Sequence, residues 1–362
     1  EIRTKLTDSH VWDQVAGYLF VAGGDQITFT GKGNSFSGTI AGPGAVVVNG
    51  GSDTFANVEL AAGKTSIKKA AAVTFSGTVD IAGTVSATSA SLVVAAGGAS
   101  FTGGGELLLS NTATNSLSGA SAAAVLTNKD TLRGAGSLGG GTMGLTNAAG
   151  GIIEGVGSAG LVIDTGANTI ANAGTIEALT GDVTTVASAV ANSGLLASSG
   201  GTLVLEGAVT GAGTVHVFGG VVSLAKTFNE HVSFGSSGRL VLAHSTGFAS
   251  TVSGFSHTGT TSLDLRDIKF ASAAASFSGT TASGVLTLTD GTHTAHITLT
   301  GDYTAAAWTL SDDGSGGTVV VDPTVRPHMI VAAMAAMAAA PATVHAGPAP
   351  PAAPQFLSPP RA

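Results

Sequence analysis

Leu126-Thr127-Asn128-Lys129-Asp130-Thr131-Leu132, Leu145-Thr146-Asn147-Ala148-Ala149-Gly150-Gly151-Ile152, Ile170-Ala171-Asn172-Ala173-Gly174-Thr175-Ile176 and Val190-Ala191-Asn192-Ser193-Gly194-Leu195-Leu196 are four versions of one phrase. Each runs from an apolar residue through a small residue to Asn, then through a short polar stretch to a second apolar residue. The asparagines fall at 128, 147, 172 and 192, spacings of 19, 25 and 20 residues. A period of that size marks one supersecondary unit per repeat, here one turn of a solenoid. Within a phrase the apolar residue and the Asn are two apart, so on a strand they face the same side. Asn-x-Gly then allows a tight bend, because both residue types tolerate left-handed backbone angles. Asn128, Asn147, Asn172 and Asn192 at one corner of successive coils are expected to bond along a ladder that satisfies buried amides.

Working outward, a second phrase recurs at Phe36-Ser37-Gly38-Thr39-Ile40, Phe75-Ser76-Gly77-Thr78-Val79 and Phe277-Ser278-Gly279-Thr280-Thr281. A Phe before a Gly turn, with β-branched residues after it, reads as a core anchor at a strand end. The fold class expected is all-β: a parallel β-solenoid (β-helix). Residues 1–110 read as short strands between Gly turns and residues 111–225 as the clearest solenoid repeats. Residues 226–322 read as a more hairpin-like β region, with Asp290-Gly291 as a hairpin turn. The Asp264 and Arg266 side chains share a strand face there and are expected to form a surface pair. Residues 323–362 change character: a short helix opening near Pro327, with Ile330, Met334 and Met337 on one face, then a Pro/Ala-rich tail. That Met-rich face is expected to cap the chain's own β structure or to dock on a neighbour.

Composition narrows the function. Of 362 residues, 10% are charged, 5% aromatic and 43% apolar, with 54 glycines. The apolar content argues against disorder, and scarce charges and aromatics argue against an ordinary enzyme cleft. The net charge of −8 carries no basic stripe, and Lys68-Lys69 is the one adjacent cation pair, so a nucleic-acid partner is not expected. The chain has no cysteine, which excludes disulfides, thiolate metal sites and a Cys nucleophile and leans toward an exported protein. No signal peptide is visible at Glu1-Ile2-Arg3-Thr4-Lys5, and no stretch of 18 strongly apolar residues suggests a membrane span.

Motif matches weigh little. Gly-x-Gly-x-x-Gly begins at Gly134, Gly139 and Gly155, but none opens a helical pattern, so turn glycines are the better reading. Gly63-Lys64-Thr65 lacks the earlier P-loop glycine, since Val58 stands there. His293 and His296 are three apart, on opposite strand faces, and read as surface residues. Asp312 and Asp313, before Gly314, are kept as calcium candidates, with a turn the preferred reading. No Gly-x-Ser-x-Gly elbow occurs, and no paired carboxylates with flanking aromatics are evident. No cofactor or catalytic residue is assigned.

The Asn-x-Gly phrases and Gly-rich strands resemble passenger regions of autotransporters and related β-strand-repeat surface proteins of Gram-negative bacteria. The block around Asp264-Leu265, Thr287–Thr292 and Ser311–Thr318 is similar to the C-terminal part of large exported repeat proteins of alphaproteobacteria. The resemblance spans roughly residues 20–322 and includes no C-terminal barrel series. It implies an extracellular or outer-cell-surface structural or adhesive protein, such as a layer, fibre or adhesin subunit, that self-associates or meets a cell-surface or matrix partner. The alternative carried forward is a carbohydrate-binding or polysaccharide-cleaving β-helix, for which Trp12 and Trp308 are the available tryptophans.

Overall fold

Alternation decides the local structure. In strand after strand, an apolar side chain turned inward is followed by Thr, Ser or a charged residue turned out, as in Gln26–Phe29 and His231–Phe234. That period of two suits a half-buried strand. The computed structural model describes residues 1–68, 71–226 and 228–323. Among those residues it is 59% strand, has no helix of seven residues or more, and forms a parallel β-solenoid of about 13 turns. Glu1–Thr324 are one compact unit, so the three β segments read from the sequence are stretches of a single body. The expected helix with Ile330, Met334 and Met337, and the tail after it, lie outside the described residues.

Three flat parallel sheets make the walls. Face I starts with Lys5–Asp8, face II with Asp13–Gln14 and face III with Tyr18–Phe20. Each strand pairs in register with the equivalent strand one coil later, as Lys5–Asp8 does with Gln26–Phe29 and Tyr18–Phe20 with Thr39–Ala41. Register is pinned because a one-residue slip would turn the whole apolar set outward. The result on face I is an inward column in which Leu6 lies over Ile27, Leu107 over Leu132, Ile153 over Ile176, and finally Val252 over Leu299.

In the first third the strands are longer than expected. Ser35–Val48, Gly51–Ile67, Ala71–Ile81 and Ser91–Thr102 bend round corners without losing their pairing. Glycine makes this possible: Gly38 and Gly42 sit at φ +82° and +102°, where a side chain would be strained, and the register shifts locally there. Aromatic rings fill this wide part of the core. Phe29, Phe36, Phe55, Phe75 and Phe101 follow one another with ring centroids 4.9, 4.9, 6.1 and 5.1 Å apart. Two of the three Phe-Ser-Gly-Thr phrases thus supply core anchors.

The C-terminal end changes pairing. After the last coil, Thr251–Ser253 on face I pairs parallel with Thr294–Thr300, which continues antiparallel to Ser283–Thr289 and then Ala274–Gly279. Asp290 closes the first of these hairpins. On face II, Thr261–Leu265 pairs antiparallel with Thr318–Val321, which pairs with Thr309–Asp312. These hairpins share the core of the coils through Leu286, Leu288, Ile297, Leu299 and Val320. Among the described residues, no helix is long and apolar enough to cross a membrane.

Candidate functional site

The four asparagines end successive face III strands, Val125–Asn128, Gly144–Asn147, Ile170–Asn172 and Val190–Asn192, and stand in register. All are at most 1% exposed. Asn128 Nδ2 donates to Asn147 Oδ1 at 2.9 Å, Asn147 to Asn172 at 2.8 Å, and Asn172 to Asn192 at 2.7 Å. Each side-chain NH2 also reaches a backbone carbonyl at the bend, such as Thr175 O from Asn147 and Leu195 O from Asn172. The ladder starts where the aromatic column stops, since Asn128 lies over Phe101.

Its other end was not legible from the phrase pattern. Asn192 Nδ2 donates to Glu230 Oε2 at 2.7 Å, so a carboxylate closes the row of amides. Glu230 is 38 residues further on and reaches back across Gly211, which holds the Asn register position in the next coil. A Cβ at Gly211 would lie 2.9 Å from Glu230 Oε1 and 1.9 Å from Asn192 O. Burial pushes the Glu230 carboxyl above its usual range, and the bond from Asn192 opposes that. A glycine replacing the phrase's Asn was the available signal.

Other acids are buried without any mark in the repeat phrases. Asp53, Asp130 and Asp182 are pushed upward chiefly by burial. Each is tied into the coils: Asp53 accepts from Asn34, Asp130 from Gly104 N, and Asp182 from Thr184. Asp264 corrects the expected surface pair with Arg266. It is 3% exposed, stands opposite Val319 of the closing hairpin, and meets Arg239 at 3.7 Å, while Arg266 is exposed. The antiparallel strand laid over it, which strand alternation alone does not reveal, is what buries it. Its carboxyl is raised first by burial and then by Asp313.

The calcium candidates shape a turn. Asp312 Oδ1 accepts from Gly314 N, and Asp313 Oδ1 accepts from Ser315 N and Gly317 N, at 2.6, 2.6 and 2.8 Å. His293 sits in the hairpin turn against Asp290, at 3.2 Å, while His296 faces Thr287 at 3.1 Å, so the two do not converge. Three backbone N–H groups, from His293, Lys269 and Thr292, hold Asp290 well below the usual carboxylate range. Among the described residues no three His, Cys, Asp or Glu side chains gather as a metal site.

Two surface features carry chemistry. On face I, Arg133 bridges Glu106 and Glu154, at 3.9 and 3.5 Å, and Glu154 stands in register with Glu177 of the next coil. Glu177 accepts a hydrogen bond from Ser199 Oγ. The adjacent carboxylates are a pair that the sequence did not display, because 23 residues separate them and only the coil register joins them. At the C-terminal end, Phe277, Gly279, Tyr303, Ala306 and Trp308 line a groove of roughly 410 Å³. Tyr303 OH donates to Phe255 O at 2.8 Å, and its ring lies 5.9 Å from that of Trp308. Trp12 is far from it in the fold, packing at 5.4 Å on Phe29 in the first coils. No family model matches the chain, and no curated protein is similar to it.

Proposed function

We propose that this protein is a non-catalytic structural or adhesive element of the outer cell surface or extracellular space, a stiff rod that displays or spaces its faces. The observation that carries the reading is the unbroken core. One inward column and one backbone ladder run through every coil of face I, and on face III buried side chains such as Asn147, Asn192 and Glu230 tie one coil to another. Stacking of this kind adds stability coil by coil and gives length without a large globular core. At about 4.8 Å per coil, the parallel part is a rod of about 60 Å. The resemblance of the Asn-x-Gly phrases and Gly-rich strands to exported β-strand-repeat proteins supports an exported location.

A second reading rests on Glu154 and Glu177. Adjacent carboxylates on a β-helix face suit acid and base roles toward a polysaccharide. Ile152, Thr175 and Leu195, their neighbours in the outward rows, offer no aromatic platform for a sugar ring. Incubation with polysaccharides, peptides and esters separates the two readings. The structural reading expects no turnover. Polysaccharide cleavage that disappears in Glu154→Gln or Glu177→Gln would replace it. Antibody labelling of intact producing cells tests the location, and unlabelled cells that label only after lysis would refute it.

A further inference from the structure

The outward rows around Glu154 offer a sugar ring no aromatic platform, but the hairpins beyond the last parallel coil do. Phe277, Tyr303 and Trp308 come from two chain segments and meet there as a triangle of rings, with centroids 5.9, 6.2 and 5.9 Å apart. The Phe side chains of the first coils, from Phe29 to Phe101, are sealed in the core, whereas Phe277 and Trp308 are only partly buried. They open on the groove of roughly 410 Å³. That is a usual size for a small-molecule site.

The platform is fixed before anything binds. Tyr303 is clamped by its hydroxyl on Phe255 O, at 2.8 Å, and by the His257 ring, 4.7 Å away. His257 is held in turn by Asp322, whose two oxygens meet His257 Nδ1 at 2.8 Å and Ala307 N at 2.7 Å. Trp308 rests on Phe255 at 6.0 Å. Gly284 lets the Phe277 ring lie across the neighbouring strand, because a Cβ there would collide with it. Rings that hold their places without a ligand spare the ordering cost of binding.

The rim selects the chemistry. Ser278 and Thr304 edge the groove, and among the described residues no Lys or Arg lines it. Thr304 donates to Asp302 Oδ1 from its N–H at 3.1 Å and from its hydroxyl at 2.6 Å. Those bonds hold the Asp302 carboxyl below its ordinary range, so it is ionised at neutral pH. Asp302 Oδ2 has no partner among the described residues and stands ready to accept. An ionised acceptor without a cation disfavours an anionic ligand and favours one that brings O–H donors. Aromatic rings favour one with apolar C–H faces. The Tyr303 and Trp308 planes differ by only 30°, which is closer to a flat platform than to the enclosing cage that suits an organic cation. A hexopyranose meets all three conditions.

We propose that this groove binds a neutral hexopyranose chain, one sugar ring stacking on Trp308 and its hydroxyls donating to Asp302 Oδ2. This rests on the adhesive reading above and names its ligand. Among the described residues no pair of carboxylates lines the groove, so the chain is held rather than cut.

The test uses the full chain carrying Trp12→Phe, so that Trp308 is the one remaining tryptophan. The probes are soluble hexasaccharides of glucose, mannose, galactose and N-acetylglucosamine. At least one should shift the Trp308 emission saturably and be recovered uncut. By calorimetry, Trp308→Ala should weaken that binding about tenfold or more, and Asp302→Asn about fivefold. Ala306→Phe, which fills the groove and leaves the three rings in place, should abolish it, and this variant decides the matter if Trp308→Ala melts early. Tyr18→Ala, at an exposed ring in the first coils, should change nothing. A panel in which no sugar binds overturns the proposal. So does binding that survives both Trp308→Ala and Ala306→Phe, which would put the site elsewhere. An extended aromatic peptide or choline that shifts Trp308 where no sugar does also overturns it, the peptide by adding to the Ala274–Gly279 edge. Sugar recovered as fragments would instead overturn the non-catalytic reading beneath it. Failure to bind leaves the turnover and cell-labelling results untouched, so this site can fail while the structural reading stands.

Discussion

Replacing Asn172 by Ala removes the middle rung of the amide ladder, and the structure sets the size of the loss. Three bonds go: acceptance from Asn147 Nδ2 at 2.8 Å, donation to Asn192 Oδ1 at 2.7 Å, and donation to Leu195 O at 3.2 Å. At about 1 kcal/mol net for each, the loss is about 3 kcal/mol. The neighbours are partly cushioned, since Asn147 Nδ2 keeps Gly151 O and Thr175 O, and Asn192 Oδ1 keeps Gly194 N. Asn172→Asp is the sharper probe. An ionised carboxylate accepts from Asn147 but turns an oxygen toward Asn192 Oδ1, and it is buried without a cation. Its folded-state pKa should rise above the unfolded value, so its stability should improve as pH falls through that window, whereas Asn172→Ala should show no such recovery. Guanidinium unfolding followed by far-UV circular dichroism measures the loss. Amide exchange at Ser193 and Gly194, whose N–H groups donate to Asn172 O, localises it. A loss below about 1 kcal/mol for Asn172→Ala, with unchanged exchange at those amides, would refute the view that the ladder ties the coils.

Gly211→Ala should destabilise by about 2 kcal/mol or more, because φ is +134° and the new Cβ meets Asn192 O at 1.9 Å; an unchanged unfolding midpoint would contradict the packing described. Glu230, like Asp53, Asp130, Asp182 and Asp264, holds its proton more tightly folded than unfolded. The folded state then binds more protons, so melting temperature should rise as pH falls from neutral toward the raised carboxyl range; Glu230→Gln should flatten that rise, and an identical profile would clear Glu230 of the effect. Chelator should leave the melting temperature unchanged, because Asp312 and Asp313 already spend their Oδ1 atoms on the turn; a fall in melting temperature restored by calcium would make them ligands after all.

Much of this architecture is written in local patterns. The Asn-phrase period sets the coil length, and a residue two places from an apolar neighbour must share its side, so the ladder at 128, 147, 172 and 192 is readable from spacing alone. Asp290-Gly291 marks its hairpin for a similarly local reason. What escapes are contacts made across coils by residues outside the phrase. Glu230 reaches Asn192 only because Gly211 leaves the space. Glu154 meets Glu177 only through coil register, and Asp264 is buried only because a hairpin from 309–321 folds back over it. The long bent strands of residues 35–102 were hidden by their own glycines, which read as breaks but here turn corners within a continuous ladder.

The bonds between coils point along the rod axis, and this sets how the molecule answers tension. A pull between its ends stretches each bond along its own length, and a terminal coil, held by a neighbour on one side only, gives way before those behind it. Coils should therefore peel in succession rather than shear together. With 19 to 25 residues between successive asparagines, each released coil yields roughly 65 to 85 Å of slack chain at about 3.5 Å per residue. Such a rod should then extend under load in a series of small steps. Where the amides of Asn128 to Asn192 add side-chain rungs to the backbone ladder, those steps should demand the greatest force.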